Sequence, residues 1–240
     1  MNGRESVRKR ASSRDSAAKA SDVLKGLQKI ELPRPTPGRT MSVFAALKKR
    51  KTNRSISDKK LSKQMLSNLL WAACGVNRKK GPFGIPGRTP GRTAASASNS
   101  QEIDLYVALK EGVYLYEPVP HCLTPVVADD LREFAIGQGQ GMSGAKAPAR
   151  LIYVVDIDNF GKAGFQEPGL KDPETQKSYY YVDTGLIAEN VYLFAASQGL
   201  ATWFHNCNRA KLFARLGLRT DQRVLFGQTV GYPERGLGSL

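Results

Sequence analysis

From residue 41 onward the chain carries two hydrophobic periods. In LSKQMLSNLLWAACG, Leu61, Met65, Leu66, Leu69, Leu70 and Ala73 recur at helical spacing, which predicts a helix with one buried face, ended by Gly75. VFAALKKR, just before it, predicts a shorter helix whose cationic end suits the negative pole of the dipole. IDLYVAL and VYLYE, separated by KEG, predict two strands of a hairpin, and the β-branched run LIYVVD predicts a buried strand. ADDLREFAI reads as a helix, and DTGLIAENVYLFAASQGL as a helix apolar nearly all round. ATWF reads as a short strand, NRAKLFARLGL as an amphipathic helix closed by Gly217, and VLFGQTVGYP as a last strand stopped by Pro233. A hairpin at the start excludes a purely parallel sheet, so the class is α+β, with four or five strands and five or six helices.

The connections divide the chain. Residues 1–40 are polar and end in ELPRPTPGRT, an extended signal; within them SDVLKGLQKI predicts a short helix capped by Ser21. This reads as a basic arm, flexible or lying on the surface, ahead of one folded domain at 41–240. Residues 76–100 read as a long loop, either functional or disordered, GQGQGMSGAKAPAR as a second glycine-rich loop, and 157–178 as a polar, mobile stretch.

Charge changes the picture more than composition does. The apolar share of 41% and charged share of 24% are ordinary for a soluble globular protein, but the net charge is +15. Residues 1–100 hold 23 Lys/Arg against 5 Asp/Glu, and residues 101–240 hold 13 against 16, so only the front is basic. No apolar run reaches the roughly 20 residues a bilayer crossing needs. The first twenty residues lack the apolar centre of a secretory signal. Cys74, Cys122 and Cys207 form no CxxC pair, which fits a reducing compartment, and a cytoplasmic location is expected.

Several chemistries fall away. GQGQG at 137–141 follows a predicted helix and precedes a polar loop, whereas a dinucleotide fingerprint needs a strand before it and a helix after it. His121-Cys122 and His205-Asn206-Cys207 match no zinc spacing, so no metal is expected. No nucleophile elbow accompanies the two histidines. The basic front comes without a helix-turn-helix, zinc-finger or aromatic RNA-binding signature, which makes nucleic acid an unlikely partner.

Five segments, in order, carry a family resemblance: ALKKRKTNRSIS, LSKQMLSNLLWAACGVNR, GRTAASASNSQEIDLYVAL, DTGLIAENVYLFAASQGLAT and VLFGQTVGYP. Over roughly residues 42–235 the chain resembles the nitroreductase-like flavin enzymes, including the SagB-type dehydrogenase subgroup. The resemblance implies an α+β fold with a mixed or antiparallel central sheet flanked by helices, an intertwined homodimer, and FMN at its interface. It also implies ping-pong chemistry: NAD(P)H gives hydride to the flavin, which then reduces a nitroaromatic, a quinone or a similar acceptor, or the flavin serves a dehydrogenation. By the same resemblance, Arg50, Lys51, Thr52 and Arg54 stand where the family grips the FMN phosphate, ribityl chain and ring, work suited to charge-assisted donors. Lys48 and Lys49 are expected to face solvent. Ser96, Ala97, Ser98, Asn99 and Gln101 match the segment that meets the flavin across the dimer, with Ala95 where proline is usual. Thr202, Trp203 and Phe204 fall where backbone amides approach the flavin edge, and the two aromatic rings either narrow the pocket or pack in the core. The resemblance also implies Arg235 as a second phosphate ligand. No single catalytic side chain is expected, because the flavin carries the electron chemistry. The alternative is a weakly active or non-enzymatic flavin-fold protein that binds anionic partners through its basic arm.

Overall fold

The computed structural model describes residues 26–36, 40–81, 90–137, 147–163 and 165–234. A seven-stranded sheet runs in the order β1-β6-β5-β4-β7-β9-β8, with every neighbouring pair antiparallel. Its strands are β1 (Ile30–Glu31), β4 (Ile103–Ala108), β5 (Val113–Glu117), β6 (Cys122–Val127), β7 (Ala149–Asp156), β8 (Ala201–His205) and β9 (Gln222–Gly231). A separate two-stranded ribbon joins β2 (Val76–Arg78) to β3 (Gly91–Arg92) inside the stretch expected to be all loop. The helices are α1 (Val43–Lys49), α2 (Lys63–Cys74), α3 (Pro173–Gln198) and α4 (Arg209–Leu216).

Strand alternation splits the core in two. Leu105, Val107, Leu151, Tyr153 and Val155 point to one face and pack with α2 and α3; Tyr106, Ala108, Ile152 and Val154 point to the other and pack with Leu212 and Leu216 of α4. Covered on both faces, β7 is buried along its whole length, as its apolar run predicts. In α2 the Ser62 hydroxyl accepts the Met65 N–H at 3.1 Å, and Leu66, Leu69, Leu70 and Ala73 form the buried stripe. Gly75 does end this helix, but with φ −72. A Cβ there would lie 2.5 Å from the Trp71 ring, so the glycine answers to close approach rather than to a left-handed turn.

Three expectations are corrected. The stretch expected to be mobile carries regular structure: Ile157–Lys162 form a 3₁₀ turn, and α3 begins at Pro173, ten residues ahead of the expected Asp183. The Asp172 carboxylate accepts the Thr175 N–H at 2.8 Å, and a proline at the first helical position completes the start signal. ADDLREFAI makes a turn instead of a helix; Asp130 accepts the Arg132 N–H at 3.1 Å, a local bond that competes with helix formation. β6 is an unexpected strand, hidden by Pro125; short β1 covers only Cys122 and Leu123, so the proline sits beyond the paired part of that edge.

The described part of the arm lies on the body. Ile30 and Glu31 pair with β6, and the Pro33 carbonyl accepts from the Ser67 hydroxyl at 2.5 Å. The expected helix SDVLKGLQKI is not continued at its described end, where residues 26–29 are turn and coil and Ile30 is in β1; its first part, with Ser21, and the glycine-rich stretch 138–146 lie outside the described residues. Among the described residues no helix is long and apolar enough to cross a membrane.

Candidate functional site

The cationic run leaves α1 at Arg50 and lies along β8, an edge strand paired with β9. The Asn53 N–H donates to the Thr202 carbonyl at 3.0 Å. The Tyr192 hydroxyl, from α3, accepts the Phe204 N–H at 2.9 Å and lies 3.1 Å from the Thr52 hydroxyl, so its own proton is available to Thr52. The Arg50 guanidinium sits over the Tyr192 ring at 5.4 Å, and that of Arg54 over the Trp203 ring at 5.1 Å. Further on, the Ser57 N–H donates to the Tyr232 carbonyl at 2.8 Å and the Glu234 N–H to the Ser55 carbonyl at 3.1 Å. Residues 50–57 are thereby knitted to β8 and to the end of β9. Arg235 follows directly but lies outside the described residues.

These elements enclose an open cleft of about 530 Å³ lined by Lys48, Lys49, Lys51, Asn53, Tyr192 and Thr202, with small residues of α3 as its floor. Lys48 and Lys49, expected to face solvent, are exposed and also belong to this lining. Among the described residues no acidic side chain lines the cleft, so its field favours an anion.

Trp203 and Phe204 divide. Trp203 is buried, with its ring 4.6 Å from that of His205, so it packs in the core and does not wall the cleft. Phe204 is half-buried against Phe226 and Tyr153. The Phe204 amide is already held by Tyr192, and the Thr202 hydroxyl donates to the Thr229 carbonyl at 2.9 Å, so Thr202 offers the cleft little beyond its backbone. Both histidines are structural. His205 is buried, pushed down to about 4 by burial, and bonded to Thr229 and Asn206. His121 bridges Ser67 and Tyr116.

The second predicted group forms its own cluster. Ser98, Asn99 and Gln101 have φ of 49, 56 and 50, a left-handed path that non-glycine residues adopt at a cost on the order of 1 kcal/mol each. The path is held from several sides. The Ala97 N–H donates to the Asp183 carboxylate of α3 at 2.8 Å and the Gln101 N–H to the Ser96 hydroxyl at 3.1 Å. The Gln101 side-chain amide donates to the Pro90 carbonyl at 2.8 Å and to Asn99 Oδ1 at 2.9 Å. Glu102, at the foot of this segment, is completely buried beside Asp183; burial and that neighbouring carboxyl push it up to about 8. Burial also raises Asp183.

One chain does not bring the two clusters together. Asp183 and Tyr192 are nine residues apart on α3, which places them about 14 Å apart along the axis and on opposite sides of the helix. Tyr192, Asp183 and Glu102 escape sequence reasoning: the first two sit inside a stretch that reads as apolar helix, and Glu102 reads as the polar end of a loop.

Two apolar stripes are exposed among the described residues. Val43, Phe44 and Leu47 of α1 are exposed, Phe44 at 82%. Tyr181, Val182 and Leu186 of α3 are exposed around Gly185, where an added Cβ would meet nothing within 4 Å.

Comparison with known proteins places this arrangement. The sequence profile of the Nitroreductase family matches residues 47–232. A crystal structure from Ralstonia eutropha JMP134, described as a candidate nitroreductase, shares 34% identity, covers 86% of this chain and 90% of its own, and superposes with a TM-score of 0.73. A candidate nitroreductase of Methanocaldococcus jannaschii is 29% identical over 165 residues, 64% of this chain and 73% of that protein. The NADPH:FMN oxidoreductase of Vibrio harveyi, solved with NAD+, is 18% identical with a TM-score of 0.51 over 80% of this chain and 69% of its own, a likeness of fold.

Proposed function

Because the chain belongs to the nitroreductase family, we propose that it is an FMN-dependent oxidoreductase that works as an intertwined homodimer, taking reducing equivalents from NAD(P)H and passing them to a nitroaromatic, quinone or similar acceptor. The observation that carries this reading is the cleft at residues 48–54, with three lysines, no acidic lining among the described residues, and a backbone fixed to the edge of β8. Its volume of about 530 Å³ lies within the usual range for a small-molecule site. The donor set suits a phosphomonoester: Lys48, Lys49 and Lys51 line the cleft and supply mobile positive charge, while Arg50 and Arg54, beside the lining in sequence, are held over the Tyr192 and Trp203 rings.

When bound, FMN supplies two-electron transfer between a nicotinamide and an acceptor. The chain's own residues bind and orient. In this reading the cations of 48–54 hold the phosphate, the left-handed segment 96–101 of the other protomer meets the ring, and no side chain is assigned a proton transfer. Dimerisation is supported by the separation of the two clusters on α3 and by the uncovered stripes of α1 and α3. A mid-helix glycine, which lowers helix stability, has a use at a close helix–helix approach. The SagB-type variant of the reading, flavin-dependent dehydrogenation, would use the same site. Purified protein should be yellow and release FMN on denaturation; colourless protein that takes up no added FMN overturns the reading.

A further inference from the structure

Glu102 has no exposure to solvent, and its carboxyl lies within hydrogen-bond reach of Asp183. Two ionised carboxylates in such contact repel, so one proton is shared between them. The surrounding bonds say where it resides. Asp183 Oδ2 accepts the Ala97 amide at 2.8 Å, a bond that favours its charged form. Glu102 Oε2 accepts from the Ser100 hydroxyl at 2.6 Å, while buried Oε1 finds no donor among the described residues. A proton on Glu102 turns that orphaned acceptor into a donor, with Asp183 as the acceptor in reach. The other ionisable side chains of the small cavity around the pair are the Cys74 thiol of α2, which burial pushes up to about 11, and the Arg92 guanidinium of β3.

The pair anchors a strained element. Among the bonds that impose the left-handed path at Ser98, Asn99 and Gln101, the Ala97–Asp183 bond ties the segment to a helix of the core. We propose that Glu102 is a positioning residue: as a neutral acid it donates to Asp183, which leaves the Asp183 carboxylate to hold the Ala97 amide and keep residues 96–101 in the shape the flavin site requires. Ionising Glu102 sets two charges against each other in a buried contact, breaks the hold on Ala97 and lets the segment relax. A carboxyl held above its ordinary value gives up that stabilisation as pH rises towards and through its folded value, about 8. The inference rests on the FMN reading for its role, but not for its test.

The test uses the full chain with two readouts: FMN affinity by flavin fluorescence from pH 6.5 to 9.5, and hydrogen-exchange protection of amides 96–101 in flavin-free protein. In the wild type, FMN Kd should rise about tenfold per pH unit above pH 8, and protection at 96–101 should fall over the same range. Glu102→Gln keeps a neutral donor at every pH, so both profiles should flatten, whereas Glu102→Ala should lose protection at all pH values. Superimposable wild-type and Glu102→Gln profiles overturn the proposal. Should Glu102→Gln fail to fold, the wild-type exchange profile decides alone: protection that does not change with pH overturns the proposal, and its loss through pH 8 supports it. Protein that binds no FMN at any pH refutes the flavin reading, while the exchange profile still judges the acid pair.

Discussion

The Tyr192 hydroxyl accepts the amide proton of Phe204 at 2.9 Å, and through that bond a helix in the core fixes both the edge strand and the cationic segment beside it. The same oxygen lies 3.1 Å from the Thr52 hydroxyl, so one phenol sets the geometry of two chain segments that are far apart in sequence. Tyr192→Phe should therefore do more than remove a surface polar group. It leaves the Phe204 N–H without its partner and should cost about 1–2 kcal/mol, read as a lower denaturant midpoint at unchanged slope. The freed 50–54 segment should also raise FMN Kd several-fold. A variant with wild-type stability and affinity would show that the tyrosine is a bystander.

The cations in and beside the cleft should not contribute equally. Arg50→Ala removes a guanidinium fixed over the Tyr192 ring and should raise FMN Kd at least tenfold, about 1.4 kcal/mol. Lys48 lines the same cleft but is exposed and flexible, so Lys48→Ala should cost only about two- to threefold and fade in high salt. Fluorescence titration at low and high ionic strength checks both. Equal and salt-insensitive losses would return the run to ordinary surface charge.

Phe44 and Leu186 are exposed apolar side chains on α1 and α3. Phe44→Glu with Leu186→Glu should give a folded monomer with wild-type helical content by circular dichroism and no FMN retention. Sedimentation equilibrium reads the mass. A double variant that remains dimeric would move the interface elsewhere.

His205 supplies an acid-side signature. Buried and neutral, it is pushed down to about 4 from an ordinary value of 6.5. The unfolded chain binds this proton first, so stability is full above about pH 6.5 and is lost as pH falls through 4. Chemical denaturation at several pH values should show the wild type losing up to about 3 kcal/mol relative to His205→Gln between pH 7 and 4. Parallel curves would mean that the histidine is not buried neutral.

Legibility in the sequence followed the range of the interactions. The spacing in LSKQMLSNLLWAACG and NRAKLFARLGL is local and strong, and both helices lie where the pattern puts them. β6 was obscured because Pro125 reads as a strand breaker unless the neighbouring edge is known to be short. ADDLREFAI has helical composition, but one Asp130 side-chain bond turns the chain away. The cationic run at 50–54 was legible as chemistry because charge needs no partner to be noticed. Tyr192, Asp183 and Glu102 were not, since each acquires its role only from a contact across the fold: Thr52 and Phe204 for the first, and the two carboxyls for each other.

The central claim is that this cleft holds FMN, and the direct measurement is the absorbance spectrum of the freshly purified full chain, followed by chromatography of whatever denaturation releases. The account predicts a flavin spectrum and released FMN approaching one per chain, reduced by NADH or NADPH under anaerobic conditions and reoxidised by a quinone. Protein that is colourless, and stays so after incubation with FMN and gel filtration, would contradict it.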